Sequence, residues 1–164
     1  ASARRSLMPY VNTLDLVTAA RGKGYAVPAI NIIDPLTIKA VVEAADAIGC
    51  EIGQIVKSLI FRNSKNQGLL FLVSGKNNLN VDKVARNLKI EFKKADADFV
   101  KEVTGFSIGG VPPVAHQTKM DTYIDQDLLE YSEIWAAAGM PFSVFKLDSR
   151  MLQPLTDGKV IKVN

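Results

Sequence analysis

Histidine and cysteine are nearly absent from this chain of 164 residues: each occurs once, as His116 and Cys50. A lone cysteine excludes an internal disulfide, and one histidine beside it cannot furnish the three or four ligands of a His/Cys zinc set. Clustered carboxylates of the kind that hold magnesium are also missing, so neither a metal nor a cofactor is expected. No stretch approaches the roughly 18 consecutive apolar residues of a membrane span. The opening Ala1 to Leu7 carries two arginines, but no hydrophobic segment long enough for a secretory signal comes after it. A cytoplasmic protein without a membrane partner is the expectation. The GxSxG elbow of serine hydrolases is missing too, which leaves a Ser-His-Asp triad without an identifiable nucleophile; Ser107 and Ser143 would be arbitrary choices.

What is present is ordinary for a globular protein, with 48% apolar and 23% charged residues. The length suits one domain, expected over residues 1–164, with 1–7 a tag or disordered leader and Met8 the natural start. A net charge of +3 permits nucleic-acid contact without requiring it.

Thr13 to Lys23 reads as a short helix stopped by glycines, and Tyr25 to Ile33 as a strand. Pro35, Ile38, Val41, Val42, Ala45 and Ile48 then mark a helix that opens at Asp34-Pro35 and ends at Gly49. Ile55 to Arg62 and Leu69 to Ser74 form a hairpin across a polar turn, and both strands are apolar almost throughout, which implies burial on two faces. Asn80 caps a helix through Leu88, and Asp96 or Asp98 starts another that ends at Thr104-Gly105. Short strands come next near Asp121 to Ile124, Ile134 to Ala138, Ser143 to Leu147 and Lys159 to Val163, with a helix near Ser149 to Leu155 that Pro154 shortens or ends. The order lacks regular βαβ alternation, so the fold class is α/β around a mixed central sheet flanked by helices.

Two segments stand out chemically. In Gly53-Gln54-Ile55-Val56-Lys57-Ser58-Leu59-Ile60-Phe61 one lysine interrupts an apolar strand, and alternation places Lys57 on the face of Ile55, Leu59 and Phe61. Its ammonium either snorkels past these neighbours to water or holds a phosphate or carboxylate. In Phe106 to His116, reading FSIGGVPPVAH, two glycines allow close backbone approach and two prolines stiffen the second half of the loop. That loop is either a tight connection or a backbone site for an anion or oxyanion. His116 is the one imidazole available as a base. Cys50 lies just past a helix end, not at a helix start, and reads as an inert thiol. Lys89, Lys93 and Lys94, with Lys65, Lys76 and Lys119, read as a solvated face that could also meet a nucleic acid.

The two segments in this order, together with the tail EIWAAAGMPFSVFKLD, resemble the YbaK family of aminoacyl-tRNA deacylases and the editing domain associated with prolyl-tRNA synthetase, from about Ala44 to Val163. The resemblance implies metal-free hydrolysis in trans of the ester of a mischarged tRNA, of the Cys- or Ala-tRNA(Pro) type. It assigns Lys57, Gly109 and Gly110 to catalysis, and Ser58, Ile108, Val111, Pro112, His116 and Gly139 to substrate binding. The partners it implies are the aminoacyl-tRNA acceptor end and prolyl-tRNA synthetase; it leaves the oligomeric state unassigned. Ala115 departs from the family, standing where a glycine often precedes the last loop residue. Asp34 to Lys39 departs as well, so a tRNA- or synthetase-binding module without catalysis is the alternative. Leu14 to Ile32 resembles the opening of class II aldolases. A barrel of roughly 250 residues with several zinc-binding histidines is nevertheless out of reach of this chain.

Overall fold

A computed structural model describes residues 35–140 and 143–164, with side chains from Val41 onward. The expected leader, the helix at Thr13 to Lys23, the strand at Tyr25 to Ile33 and the aldolase-like stretch lie outside the described residues.

Helix α1 spans Pro35–Ile48. Strand β1, Val56–Asn63, turns back into β2, Gly68–Ser74, and pairs with it antiparallel from Val56 opposite Ser74 to Arg62 opposite Gly68. The turn is closed by the Asn63 side chain, whose Oδ1 accepts from the amides of Lys65 and Gln67 at 3.0 and 2.9 Å. Helix α2, Val81–Leu88, starts where Asn80 accepts from the Lys83 amide, the expected cap. Strand β3, Phe92–Lys94, pairs antiparallel with the far end of β1. Helix α3, Ala97–Thr104, is capped by Asp96 at the Phe99 amide and closed by Gly105. Strand β4, Asp121–Asp125, runs parallel to β2, and β7, Lys159–Ile161, runs parallel to β4. Strands β5, Glu133–Ala137, and β6, Val144–Asp148, form a separate ribbon.

The five-stranded sheet has the order β3-β1-β2-β4-β7 and is mixed, as the sequence led us to expect. Strand β3 was not foreseen: three residues between helices carry too little pattern to register. The ribbon's departure from the main sheet was also not foreseen; one parallel bridge, Ile55 to Trp135, ties it to the entry of β1. Pro154 stands within helix α4, Leu152–Thr156. It is tolerated because first-turn amides lack intrahelical partners in any case.

The apolar strands β1 and β2 are buried on both faces because each face has its own cover. Val56 and Ile60 meet Leu70, Leu72, Phe99, Val100 and Val103, together with Val111 of the glycine loop and Ile134 and Ala136 of the ribbon. Leu59 and Phe61 meet Phe71, Val73, Val84 and Tyr123 on the other side. That second face is rich in ring contacts, with Phe61 edge-on to Phe71 at 5.4 Å between centroids and Phe71 stacked on Tyr123 at 4.9 Å. A third cluster of Val41, Ala45 and Ile55 seats α1.

Candidate active site

Strand alternation separates the two polar residues of β1. Ser58 lies between Val56 and Ile60, on the face covered by the glycine loop, whereas Lys57 shares the opposite face with Leu59 and Phe61. Both are buried, Lys57 at 5% and Ser58 at 3% relative exposure. Their surroundings differ. The Ser58 hydroxyl is the one buried side-chain polar atom among the described residues without a hydrogen-bond partner in the protein. A hydroxyl withheld from both water and protein partners is costly, and native proteins keep few of them.

Lys57 does not snorkel to water. Its Nζ donates to the carbonyl oxygen of Asn77 and lies 3.5 Å from that of Gly75. These are neutral acceptors, so the hydrogen bonds are satisfied and the opposite charge comes from Asp125 nearby. Burial pulls the ammonium down from 10.5 to about 8, opposed by the nearby charge of Asp125. Asp125 builds the platform beneath: its Oδ2 accepts from the Ser74 amide at 3.0 Å and from Asn77 Nδ2 at 2.8 Å, and Asn77 Nδ2 also reaches Asp127 Oδ2 at 2.9 Å. Sequence reasoning missed Asn77 and Asp125. A carboxylate closing an apolar strand was the available signal, but its partner comes from a different strand end.

The glycine loop leads directly out of α3. Thr104 turns the chain by donating to the Val100 carbonyl at 2.7 Å and accepting from the Phe106 amide at 3.0 Å. Gly109 then adopts φ +88°, which a side chain would disfavour, and the Gly110 amide donates to the Ser107 carbonyl at 2.9 Å. The Gly110 N–H is thus used inside the loop. What Gly110 contributes is closeness, since a Cβ there would stand 3.0 Å from the Met140 carbonyl carbon and 3.2 Å from that of Gly139. Gly139, at φ +92°, lies under the Phe106 ring in turn. The structure thus brings Gly110, Val111 and Gly139 together, and connects them through one apolar cluster to the face of Ser58. Pro112 is buried within the loop and Ile108 is exposed at its tip.

His116 fastens the end of the loop. Its Nε2 donates to the Pro112 carbonyl at 2.8 Å, and its ring stands edge-on to Phe106 at 6.4 Å. Burial lowers its pKa below 6.5. With Nε2–H engaged by a main-chain oxygen, the imidazole is a clasp for the loop. Ala115, beside it, has φ +67°, a left-handed backbone natural to the glycine of the family pattern. Cys50 is half-buried beside α1 and burial pushes its thiol up to about 11, so the expected inert thiol is what the fold makes of it.

Among the described residues no group of three or more His, Cys, Asp or Glu could hold a metal ion, and no helix is long and apolar enough to cross a membrane. An open cavity of about 420 Å³, lined by Lys119, Tyr123, Gln153, Asp157 and Lys159, contains none of the candidate residues. Tyr123 and Lys159 place it among β4, α4 and β7.

The mixed sheet thus carries a glycine loop packed on one face and a buried lysine on the other, and the family is given by comparison. Residues 37–155 match the aminoacyl-tRNA editing domain, and the chain belongs to that family. It is 30% identical to the protein YwhH of Bacillus subtilis, over 76% of this chain and 80% of that one. It is 25% identical to the "Putative Cys-tRNA(Pro)/Cys-tRNA(Cys) deacylase EbsC" of Enterococcus faecalis, over 73% of each. A crystal structure described as "a putative trans-editing enzyme for prolyl tRNA synthetase" superposes with a TM-score of 0.73 at 41% identity, covering 97% of this chain and 99% of the other.

Proposed function

We propose that this protein is a single-domain, trans-acting deacylase that removes a small amino acid, of the Cys or Ala type, from mischarged tRNA(Pro) in the cytoplasm, in association with prolyl-tRNA synthetase. The observation that carries this reading is the unpartnered, buried Ser58 hydroxyl on the face under the glycine loop. A polar group left unsatisfied in a fold otherwise well bonded supports a functional role at that point. The relatives' names support the substrate class and the synthetase partner.

In this mechanism the aminoacyl ester lies against Gly109, Gly110 and Val111, with Ser58 donating to or accepting from it. Ile108, Pro112 and Gly139 bound the side-chain space, and His116 keeps the loop in shape. Lys57 acts from the other face of β1 as a buried cation, partly balanced by Asp125, that orients the acceptor end. Water, oriented by the neighbouring ribose hydroxyl, adds to the ester carbonyl carbon; the bond from that carbon to the ester ribose oxygen then breaks, that oxygen takes the proton the water gives up, and the amino acid leaves with a free carboxyl group.

Single-turnover deacylation of tRNA(Pro) charged with Ala, Ser or Cys tests the reading, comparing wild type with Lys57→Ala and Ser58→Ala. Selective turnover that both substitutions depress is expected. No turnover of any charged tRNA, with tRNA still bound, would replace this reading by the binding-module alternative.

A further inference from the structure

Among the described residues, four lysines along one edge of the sheet have no acidic partner. Lys65 sits in the β1–β2 turn, Lys89 ends α2, and Lys93 and Lys94 lie on the edge strand β3; all four side chains are exposed. None of the four makes an ion pair with another described residue, whereas Lys76, Lys119 and Lys146 each do. Register adds a second observation. Lys93 stands directly opposite Arg62 on β1, a like-charge cross-strand pair of the kind that ordinarily destabilises a sheet. The available carboxylate, Asp96, is taken by Arg62 at 3.4 Å, which leaves Lys93 facing solvent, and Glu91 is the one acid between Lys89 and Lys94 in sequence. Arg62 is further held over the Phe99 ring, 4.8 Å from its centroid, so this end of β1 presents a fixed cation.

Position gives the edge its meaning. Arg62 and Ser58 lie four residues apart on the same face of β1, about 13 Å along the strand. From β3 the chain passes through α3 straight into the glycine loop. Between them that face is covered by α3, whose Phe99, Val100 and Val103 pack on Ile60, so a nucleic acid whose 3′ end reaches the loop meets Arg62 and β3 by crossing the outer side of α3.

We infer that the β3 edge, formed by Lys65, Lys89, Lys93 and Lys94 around Arg62, is the docking track for the sugar-phosphate backbone of the substrate tRNA's acceptor stem. This rests on the proposed deacylase reading for where the 3′ end goes, but the surface itself is tested separately. Edge lysines also blunt sheet-to-sheet aggregation, a role that other charged side chains share. Charge reversal therefore separates the two roles.

The test compares wild type, a fourfold variant (Lys65→Glu, Lys89→Glu, Lys93→Glu, Lys94→Glu) and a control reversed at the opposite edge (Lys119→Glu, Lys159→Glu, Lys162→Glu). Three readouts are taken on folded proteins: binding of uncharged tRNA against salt, deacylation of full-length aminoacyl-tRNA, and deacylation of a short aminoacyl-adenosine ester. The fourfold variant is expected to lose tRNA affinity by about tenfold or more and to show a shallower salt dependence. Its turnover of the short ester stays at the wild-type level, and the control variant binds tRNA far better than the fourfold variant. Unchanged tRNA binding in the fourfold variant, equal losses in both variants, or a matching loss on the short ester would each overturn the inference. If wild type hydrolyses neither substrate, the deacylase reading falls while the binding comparison still decides the track.

Discussion

Ser58→Ala should make the protein more stable and less active, a combination that a structural serine cannot produce. A hydroxyl buried without a partner carries a desolvation cost of about 1–3 kcal/mol in protein mutational data. Ser58 is such a group. Removing one oxygen forfeits a few dispersion contacts with the neighbours on its face, which offsets part of the gain. A net stabilisation of about 1 kcal/mol is expected, equivalent to a Tm rise of roughly 2–4 °C for a domain of this size. If the same hydroxyl bonds the aminoacyl ester or its transition state, its loss costs about 1.5–3 kcal/mol there, or roughly 10- to 100-fold in single-turnover rate. Thermal unfolding and deacylation of the same preparation measure the two quantities together. A Tm that falls by several degrees would show that the hydroxyl has a structural partner and would refute the argument from dissatisfaction. A raised Tm with full activity would keep the physical argument and remove Ser58 from the site.

Lys57, His116 and Ala115 each carry an expectation of their own. Lys57 is held at about 8 in the folded chain against 10.5 for the free side chain, so the unfolded state binds more protons between these values. Stability should therefore rise with pH across about 8 to 10.5, by an amount on the order of 3 kcal/mol at most; the wild-type minus Lys57→Met difference in unfolding free energy isolates it, and a flat difference would contradict the buried ammonium. Lys57→Ala should leave the fold intact and lower deacylation by about 2–4 kcal/mol of transition-state stabilisation, as measured by kcat/KM. His116 has its pKa lowered by burial, so folding should weaken as pH falls below the unfolded value of 6.5; a His116→Gln variant with the same acid sensitivity as wild type would remove His116 as its source. Ala115→Gly relieves a left-handed backbone worth about 1–2 kcal/mol and loses part of that to unfolded-chain entropy, for a net gain of about 0.5–1 kcal/mol in chemical denaturation.

Much of the fold was legible because local chemistry and burial pattern agreed. Asn80 and Asp96 stop the preceding chain and start helices by satisfying first-turn amides, a choice made within three residues of sequence. The doubly apolar runs of β1 and β2 announced a sheet covered on both sides, and Ala115, marked as a departure from the family pattern, carries the positive φ that a glycine would have accommodated. The sequence also singled out the two segments that bear the candidate site, since a lysine in an apolar strand and a double-glycine, double-proline loop are each costly unless something requires them.

Their relation in space was beyond its reach. A period of two assigns Lys57 and Ser58 to opposite faces, but which face meets the glycine loop depends on how α3 and the ribbon pack, and that is settled by contacts among residues far apart in the chain. The Gly110 amide is taken up by the turn to Ser107, and the Lys57 ammonium, for which the pattern left both water and an anion open, is met by the carbonyls of Gly75 and Asn77. Composition and pattern determined the elements, the absence of a His/Cys metal set and the family resemblance of this chain. Tertiary structure decided which polar groups were satisfied, because a hydrogen bond forms only when donor and acceptor from distant segments are folded to within about 3 Å.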